Sequence, residues 1–326
     1  MSQLTVGATL RDYLRFLRVD SAAASMAFAV LGYILAGGTL FSPLWFAWML
    51  FGLLFHAAGY ADNNIQDYLY DLDDVNKSGF PLGKSIALSR ARAATIVLHS
   101  AGLVSAWFLA GSPAAFASFI LIYLLGLTYN RRNKAWRTAP LFFSLTFALL
   151  AFFSFFSTSH AVSGVIVAVC FLSFVEGVFQ NAVGTSLKDV DSDRSSLMKS
   201  LGARVVDGRL KVPPRAFYIG FGLKVVGLFP LAYLALSSGN ETYLAAIPLT
   251  GISIYSALVL LRGGRWERSG LMLRAAVSEL GVYYSVVAIF SLQFGATGTA
   301  FMMLFPLVWY VLLKKALWGT VLELKA

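Results

Sequence analysis

Ten apolar segments of roughly 20 residues dominate the sequence and constrain its fold more than any other feature. They cover approximately residues 20–38, 43–61, 91–110, 113–129, 138–157, 161–186, 216–236, 242–261, 271–293 and 298–316. A helix of about 20 apolar residues crosses the hydrocarbon core of a bilayer. Only 13% of the residues are charged, against about 25% in soluble domains. This composition excludes an ordinary soluble enzyme, a disordered chain and a fibrous repeat. The sequence predicts an all-α, polytopic membrane bundle of nine to ten transmembrane helices.

We expect residues 1–326 to form a single membrane domain with two distinctive ends. Residues 1–18 carry three arginines among Leu and Phe, a pattern typical of an amphipathic segment at the membrane interface. A cleaved signal peptide is disfavoured because Asp12 and Asp20 interrupt the expected basic start and apolar run. Residues 298–326 are predicted to supply a further C-terminal span and a tail.

The basic residues lie almost entirely on one side of the predicted membrane. The chain has 26 Lys and Arg against 16 Asp and Glu, a net charge of +10. In a soluble protein such an excess would suggest nucleic acid. Here 25 of the 26 fall in the terminal segments or in the loops after spans two, four, six and eight, and Lys224 is the exception. The positive-inside rule then places these loops and both termini in the cytoplasm, with no nucleic-acid partner. We expect an active site facing the cytoplasm, in the inner membrane if the source is a prokaryote.

Half of the acidic residues lie in two clusters, at 62–74 and 189–193. Asn63, Asp67 and Asp71 follow i, i+4, i+8 spacing, which places them on one helix face. Asp189 and Asp193 repeat the i, i+4 spacing. Both clusters follow even-numbered spans and so lie at the same membrane face. Solvated helix ends would explain Asp62, Asp73 and Asp74. The aligned sets are harder to explain that way, because carboxylates repel one another and helix C-termini disfavour anions.

A divalent cation would relieve this repulsion. Mg²⁺ prefers oxygen ligands and commonly shares them with substrate phosphates. The surrounding loops supply cations that can neutralise phosphate oxygens, namely Lys84, Arg131, Arg132, Lys134 and Lys199. A diphosphate at the mouth of an apolar bundle indicates a lipid tail within it. The metal would draw charge off the leaving diphosphate as a Lewis acid. Aromatic faces, of which 27 Phe and 14 Tyr offer many, can stabilise the resulting isoprenyl cation.

These motifs resemble those of the UbiA superfamily of intramembrane prenyltransferases. The set Asn63-x3-Asp67-x3-Asp71 is similar to its first aspartate-rich motif, and Asp189-x3-Asp193 followed by Lys199-Ser200 is similar to its second. The stretch from Tyr129 to Lys134 resembles the family's tyrosine-plus-basic loop after span four. Pro81-Leu82-Gly83-Lys84 resembles its Arg-Pro-Leu-x-x-Gly stretch. The resemblance covers about residues 10–293.

The resemblance implies a helical bundle around a central cavity that opens laterally to lipid. It implies Mg²⁺-dependent transfer of an isoprenyl group from a prenyl diphosphate to a lipophilic or aromatic acceptor. By position, the metal and catalytic set would be Asn63, Asp67, Asp71, Asp189 and Asp193. The diphosphate would be gripped by Lys84, Tyr129, Arg131, Arg132, Lys134 and Lys199. The chain departs from the family at Asn64, where many members have Asp, at Phe80, where Arg is usual, and in having a tenth span.

Other polar residues in the spans have both functional and structural interpretations. His56, Tyr60 and Asn181 are candidates for an acceptor or prenyl pocket, although a hydrogen-bonded core histidine is the more common role for a residue such as His56. Glu279 is a candidate ion-pair partner of Lys224. Two other functions stay open: a terpene cyclase of the same fold, and a cation-coupled transporter. Transporter sites usually lie near the midplane at broken helices, whereas these acids lie at one face.

Overall fold

The computed structural model describes residues 9–71, 80–133, 135–188, 190, 196–239, 241–265 and 267–319. Its helices are α1 (Leu10–Phe16), α2 (Ala23–Leu35), α3 (Pro43–Asp71), α4 (Leu88–Ala110), α5 (Pro113–Arg132), α6 (Ala139–Ser159), α7 (Gly164–Val178), α8 (Ser186–Lys188), α9 (Leu197–Ser200), α10 (Pro214–Ser237), α11 (Ala246–Leu261), α12 (Arg268–Ile289) and α13 (Ser291–Trp318). Short 3₁₀ turns occupy Val19–Ser21 and Glu241–Ala245, and a π-helical turn occupies Phe179–Thr185. The all-α fold class that the sequence predicts is confirmed.

Nine helices among the described residues are long and apolar enough to cross a membrane. These spans are Pro43–Leu69, Leu88–Ala110, Pro113–Arg132, Ala139–Ser159, Gly164–Thr185, Pro214–Ser237, Glu241–Leu261, Ser269–Ile289 and Ser291–Trp318. A tenth candidate is the pair Leu10–Phe16 and Val19–Leu35, which is bent by 54°. Together they match the ten predicted segments in order. The main difference is that α3 continues to Asp71, ten residues past the predicted end of its span.

The chain divides into two compact units. The first comprises Met1–Arg131, Phe153–His160 and Leu304–Ala326, and the second comprises Arg132–Phe152 and Ala161–Met303. The first unit has an aromatic core in which Trp48, Phe51, Phe119 and Phe153 are each at most 2% exposed. The Phe153 ring lies 5.2–5.5 Å from the other three by ring centroid. Edge-to-face and tilted pairs at this spacing are favourable beyond the area they bury.

The N-terminal bend belongs to the first unit and is fixed by side chains from other helices. Arg18 lies at the bend with φ 48° and ψ 43°, a left-handed conformation that is strained for a residue with a Cβ. The ring of His56 hydrogen-bonds the Arg18 carbonyl at 3.0 Å, and the Trp309 indole donates to the Val19 carbonyl at 2.8 Å. Arg11 and Arg15 donate to the Leu317 carbonyl of α13. The bonds from His56 and Trp309 add to those that the Ser21 and Ala22 amides donate to the same two carbonyls, and the arginines bond a carbonyl in the last turn of α13, which has no partner within its own helix.

A buried ion pair joins two helices of the second unit. The ammonium of Lys224 on α10 donates to the carboxylate of Glu176 on α7. It also lies 4.3 Å from the centroid of the Phe179 ring, where the π-helical turn begins. A Cβ at Gly227 would lie only 3.2 Å from Glu176 Oε1, so the glycine lets the carboxylate approach α10 closely. Among the described residues, the ion pair of Lys224 is therefore with Glu176 rather than with the candidate partner Glu279.

A small antiparallel sheet in the second unit was not predicted. Its strands, β1 (Arg204–Val206), β2 (Arg209–Lys211) and β3 (Gly264–Arg265), pair in the order β1-β2-β3. The hairpin turns at Asp207 and Gly208, both with positive φ, as a two-residue turn requires. The Asp-Gly dipeptide is a recognisable turn signal, but a search for long apolar segments does not detect strands of three residues.

We expect Lys224→Met to destabilise the protein strongly, because it leaves the Glu176 carboxylate buried without its partner. Breaking a buried pair in this way costs about 3–5 kcal/mol. Thermal unfolding in detergent should show a large fall in midpoint temperature. The control is Lys211→Met, which removes an exposed lysine from β2 and should leave the midpoint nearly unchanged. Combining Lys224→Met with Glu176→Leu removes both charges and should recover most of the loss. Equal midpoints for Lys224→Met and the wild type would contradict the prediction.

Candidate functional site

The first acidic cluster lies on a continuous helix, as its spacing predicts. The helix α3 extends through Asn63 and Asp67 to Asp71. The Asn63 amide donates to Asp67 Oδ2 at 3.2 Å, so these two side chains meet one turn apart. Asp67 is only 5% exposed. A carboxylate is rarely buried to this extent unless it is paired or binds a cation. The side chain of Asp71 is outside the described residues.

Helix α5 holds this part of α3 in place. The Asn130 amide donates to the Gly59 carbonyl at 3.1 Å and to Asp62 Oδ2 at 2.8 Å. Asp62 was expected to be a solvated helix-end residue, but α3 continues nine residues beyond it and its carboxylate accepts from Asn130. The role of Asn130 was not predicted from the sequence. Its position between Tyr129 and Arg131, two predicted diphosphate contacts, could have indicated this role. A residue that anchors the end of a helix also positions its neighbours.

Asn64, a departure from the family pattern, has a structural role. It is 2% exposed, and its amide donates to the Phe16 carbonyl at 2.7 Å. An ionised aspartate has no proton to donate to a carbonyl. The amide is therefore required here by the N-terminal segment, which explains why this position differs from the common Asp.

The turn that carries Lys84 packs directly on α3. Amide groups of Gly83, Lys84 and Ile86 donate to carbonyls within the turn at 2.9–3.1 Å. Gly83 has φ 79°, and a Cβ built there would lie 2.3 Å from the hydroxyl oxygen of Tyr68. Tyr68 follows Asp67 in the sequence, so this contact ties Lys84, whose side chain is exposed, to the acidic part of α3.

The second acidic cluster follows the π-helical turn in the second unit. Asp189 and Asp193 lie outside the described residues, but their flanking segments are joined. The hydroxyl groups of Ser186 and Ser196 lie 2.5 Å apart, and Ser186 Oγ accepts from the Met198 amide at 3.1 Å. Beneath them Leu187, Val190 and Met198 are at most 1% exposed. The hydroxyl pair closes the short segment that contains the predicted ligands. Turns of π-helix are frequent at functional sites.

The remaining residues that are predicted to contact the diphosphate differ in their exposure. Arg131, Arg132 and Lys199 are exposed, and Tyr129 is partly buried. The Arg132 guanidinium lies 5.1 Å from the centroid of the Trp136 ring. Lys134 lies outside the described residues. The role of these side chains in binding a diphosphate stays a prediction.

The three pocket candidates are already engaged in local contacts. His56 is 3% exposed, with Ser25 Oγ 3.1 Å from Nδ1 and Ser21 Oγ 3.2 Å from Nε2. Its ring centroid lies 4.4 Å from that of Tyr60. The Asn181 amide donates to the Gly177 carbonyl within its own helix at 2.8 Å. For His56 these bonds match the structural role; contact of any of the three with a substrate stays a prediction.

The oxygen atoms on α3 suit a magnesium ion. Mg²⁺ takes carboxylate and amide oxygens, which Asp67 and Asn63 provide, and a cation would compensate the buried carboxylate of Asp67. Within the described part of the chain, no three His, Cys, Asp or Glu side chains converge on one point. The carboxylates expected to complete the set are those of Asp71, Asp189 and Asp193, which lie outside the described part of the chain.

We expect Gly83→Ala to loosen the turn that carries Lys84. The new Cβ would be strained at φ 79° and would clash with Tyr68, costing about 1 kcal/mol or more. Trypsin should then cleave after Lys84 faster than in the wild type. Gly102→Ala is the matched control, because Gly102 lies within α4 with no atom within 4 Å of its built Cβ. Equal cleavage rates in the two variants would contradict the prediction.

Comparison with known proteins gives two curated relatives from archaea, both digeranylgeranylglyceryl phosphate synthases. The one from Sulfolobus acidocaldarius is 27% identical over 240 residues, which cover 69% of this chain and 86% of the relative. The one from Thermococcus kodakarensis is 28% identical over 262 residues, which cover 76% of this chain and 87% of the relative.

The fold also matches a solved membrane-protein structure. A UbiA homologue from Archaeoglobus fulgidus, bound to GPP and Mg²⁺, aligns with a TM-score of 0.57 and 20% identity. The match covers 85% of this chain and 99% of the homologue. The family described as the UbiA prenyltransferase family matches residues 25–273 of this chain. The matched region contains both acidic clusters and most of the membrane spans, and the chain is a member of the UbiA prenyltransferase family.

Proposed function

We propose that this prenyltransferase moves an isoprenyl group from a prenyl diphosphate to the hydroxyl group of a glyceryl phosphate lipid. The observation that carries the proposal is the buried Asp67 carboxylate beside Asn63 on α3. The acceptor class is supported by the two relatives named as digeranylgeranylglyceryl phosphate synthases. A product with that name carries two isoprenoid chains on one glyceryl phosphate, so its synthase adds an isoprenoid group to a phosphate-bearing lipid.

The proposed reaction exchanges one carbon–oxygen bond for another. The allylic bond to the diphosphate breaks, and its electron pair leaves with the diphosphate. The acceptor oxygen forms the new ether bond and loses its proton. Mg²⁺, when bound, draws negative charge off the leaving diphosphate. Asn63, Asp67 and Asp71, with Asp189 and Asp193 of the second motif, are proposed to hold the ion.

The basic residues would bind the diphosphate oxygens and orient the donor. Lys84, on its turn against α3, and Arg131, at the end of α5, belong to elements anchored next to the acidic cluster. Arg132, Lys134 and Lys199 are proposed to share the same role, with Tyr129 beside them. Charge-assisted bonds to phosphate are roughly twice as strong as neutral ones. The apolar spans would enclose the isoprenyl tail and exclude water from the reacting carbon.

Purified protein in lipid nanodiscs should form a prenylated product from a prenyl diphosphate and a mono-ether of glyceryl phosphate. Mass spectrometry of extracted lipids would identify it, with an aromatic acid as a competing acceptor. A cyclic product formed from the donor alone would instead indicate a terpene cyclase. Transfer to the aromatic acid alone would contradict the proposed acceptor class.

Activity should require the carboxylate of Asp67. Asp67→Asn should lower the transfer rate by about 100-fold or more, since metal-based charge stabilisation provides several kcal/mol and each 1.4 kcal/mol is a tenfold change in rate. The control is Asp207→Asn, which removes an exposed carboxylate from the β1–β2 turn, where Asn also tolerates positive φ. Comparable rates for Asp67→Asn and the control would contradict the assignment.

Removal of divalent ions should abolish transfer, because the diphosphate is a poor leaving group when its charge is not neutralised. Dialysis against EDTA should stop product formation, and added Mg²⁺ should restore it. Isothermal titration of the EDTA-treated wild type with Mg²⁺ and a non-hydrolysable donor analogue gives a second measurement. Asp67→Asn should lose that binding signal. Full activity in EDTA would contradict a metal requirement.

A further inference from the structure

Arg18 is an arginine whose backbone is held tightly while its charge lacks an anionic partner in the described chain. The side chain is partly buried at the α1–α2 bend. His56 bonds its carbonyl, and Asn64 and Trp309 bond the carbonyls of the flanking Phe16 and Val19. Strained residues fixed in this way are found preferentially at functional sites.

The guanidinium of Arg18 lies near two aromatic rings. Its central carbon is 5.2 Å from the centroid of the Tyr60 ring and 6.0 Å from that of the Phe80 ring. Over the described residues it makes no hydrogen bond and no ion pair. Ring faces attract a cation but leave its N–H donors, which lie in the guanidinium plane, without acceptors. The planar fork therefore stays suited to an oxyanion with two oxygens.

The nearest carboxylate in the sequence does not neutralise this charge. Asp20 pairs with Lys314 of α13 at 3.4 Å, and both side chains are about 6% exposed. That pair is balanced, so among the described residues no carboxylate neutralises the charge of Arg18 at the bend. An uncompensated charge in a partly buried place favours binding of an anion.

Arg18 lies near the part of α3 that carries the first acidic motif. Tyr60 precedes Asn63 by three residues of α3, an axial rise of about 4.5 Å. Within the first unit, the Tyr60 ring that Arg18 approaches thus belongs to the helical turn just before the first acidic motif. A glyceryl phosphate lipid carries its phosphate and its reacting hydroxyl on one three-carbon unit, so a single headgroup has both an anion for Arg18 and a hydroxyl for the reaction.

We propose that Arg18, flanked by Tyr60 and Phe80, binds the phosphate of the acceptor lipid. This rests on the proposed function for the identity of the acceptor. The shared chemistry is a phosphate on a lipid headgroup, which the acceptor and the bulk anionic phospholipids both carry. The basic residues proposed above to bind the donor diphosphate are separate from Arg18.

The test compares the wild type with Arg18→Met, Arg18→Lys and the control Arg11→Met. Arg11 is exposed, and its side-chain hydrogen bonds within the described part of the chain are to the Leu317 carbonyl. Its replacement therefore removes an equal charge from the same segment. Each protein is assayed in nanodiscs of neutral lipid with a mono-ether of glyceryl phosphate and with its dephosphorylated form. Thermal unfolding in the absence of substrate verifies folding.

Arg18→Met should raise the KM for the phosphorylated acceptor at least about tenfold, which is the size of change expected when one partly buried charge contact is lost. It should also remove the preference over the dephosphorylated form, while the KM for the donor stays unchanged. Arg18→Lys should fall between, because it keeps the charge and loses the fork. Arg11→Met should behave as the wild type. An equal rise in the donor KM, or equal effects on both acceptors, would overturn the proposal.

Two further measurements separate this proposal from its rivals and from the proposed function. If added anionic phospholipid competes with the acceptor in the wild type as strongly as it does in Arg18→Met, the site does not bind phosphate headgroups, and the proposal fails.

If the wild type transfers to no phosphate lipid, the proposed acceptor is wrong. In that case, thermal unfolding with the mono-ether phosphate tests the anion site separately. If the ligand raises the midpoint of the wild type but not that of Arg18→Met, Arg18 still binds the phosphate. If the ligand raises neither midpoint, the anion site is rejected.

Discussion

The hydrogen bonds that Asn130 donates to α3 hold the part of the molecule on which the site depends. Helix α3 has 29 residues and is about 44 Å long, whereas the hydrocarbon core is about 30 Å thick. Its final turns therefore extend beyond the length needed to cross, and these turns carry the acidic residues. Because Asn130 satisfies both the Gly59 carbonyl and the Asp62 carboxylate, the helix end is fixed against α5. The neighbouring residues Tyr129 and Arg131 are therefore held next to the same end of α3.

The N-terminal segment adds a second restraint to the same helix. Asn64 and His56 both bond carbonyls of this segment, so α3 supports the bend along more than two turns. Two of the three departures from the family pattern meet here, since Asn64 bonds the Phe16 carbonyl and the Phe80 ring lies near Arg18. Both residues thus take part in one local arrangement around the N-terminal bend.

The sequence predicted the spans well because long apolar segments leave a membrane chain few alternatives to helices. It also predicted that Asn63 and Asp67 share a helix face, because that follows from helical periodicity alone. It could not predict the Arg18 bend, since the partners of that backbone lie up to 290 residues away in the sequence. The choice of Glu176 over Glu279 as the partner of Lys224 could not be predicted for a similar reason. Both acids lie within predicted spans, and the packing of α10 on α7, with Gly227 at the contact, brings Glu176 to Lys224.

Pairing distinguishes the structural charges from those available for binding. An ionisable residue in a membrane span is by default a functional candidate, yet Glu176 with Lys224 and Asp20 with Lys314 are closed pairs. Each pair neutralises itself, which lets the charges be buried between helices without a ligand. Arg18 is only partly buried, and its guanidinium lies near the rings of Tyr60 and Phe80. Its charge can be balanced only from outside the described chain, and a phosphate headgroup entering from the membrane carries the required sign and geometry.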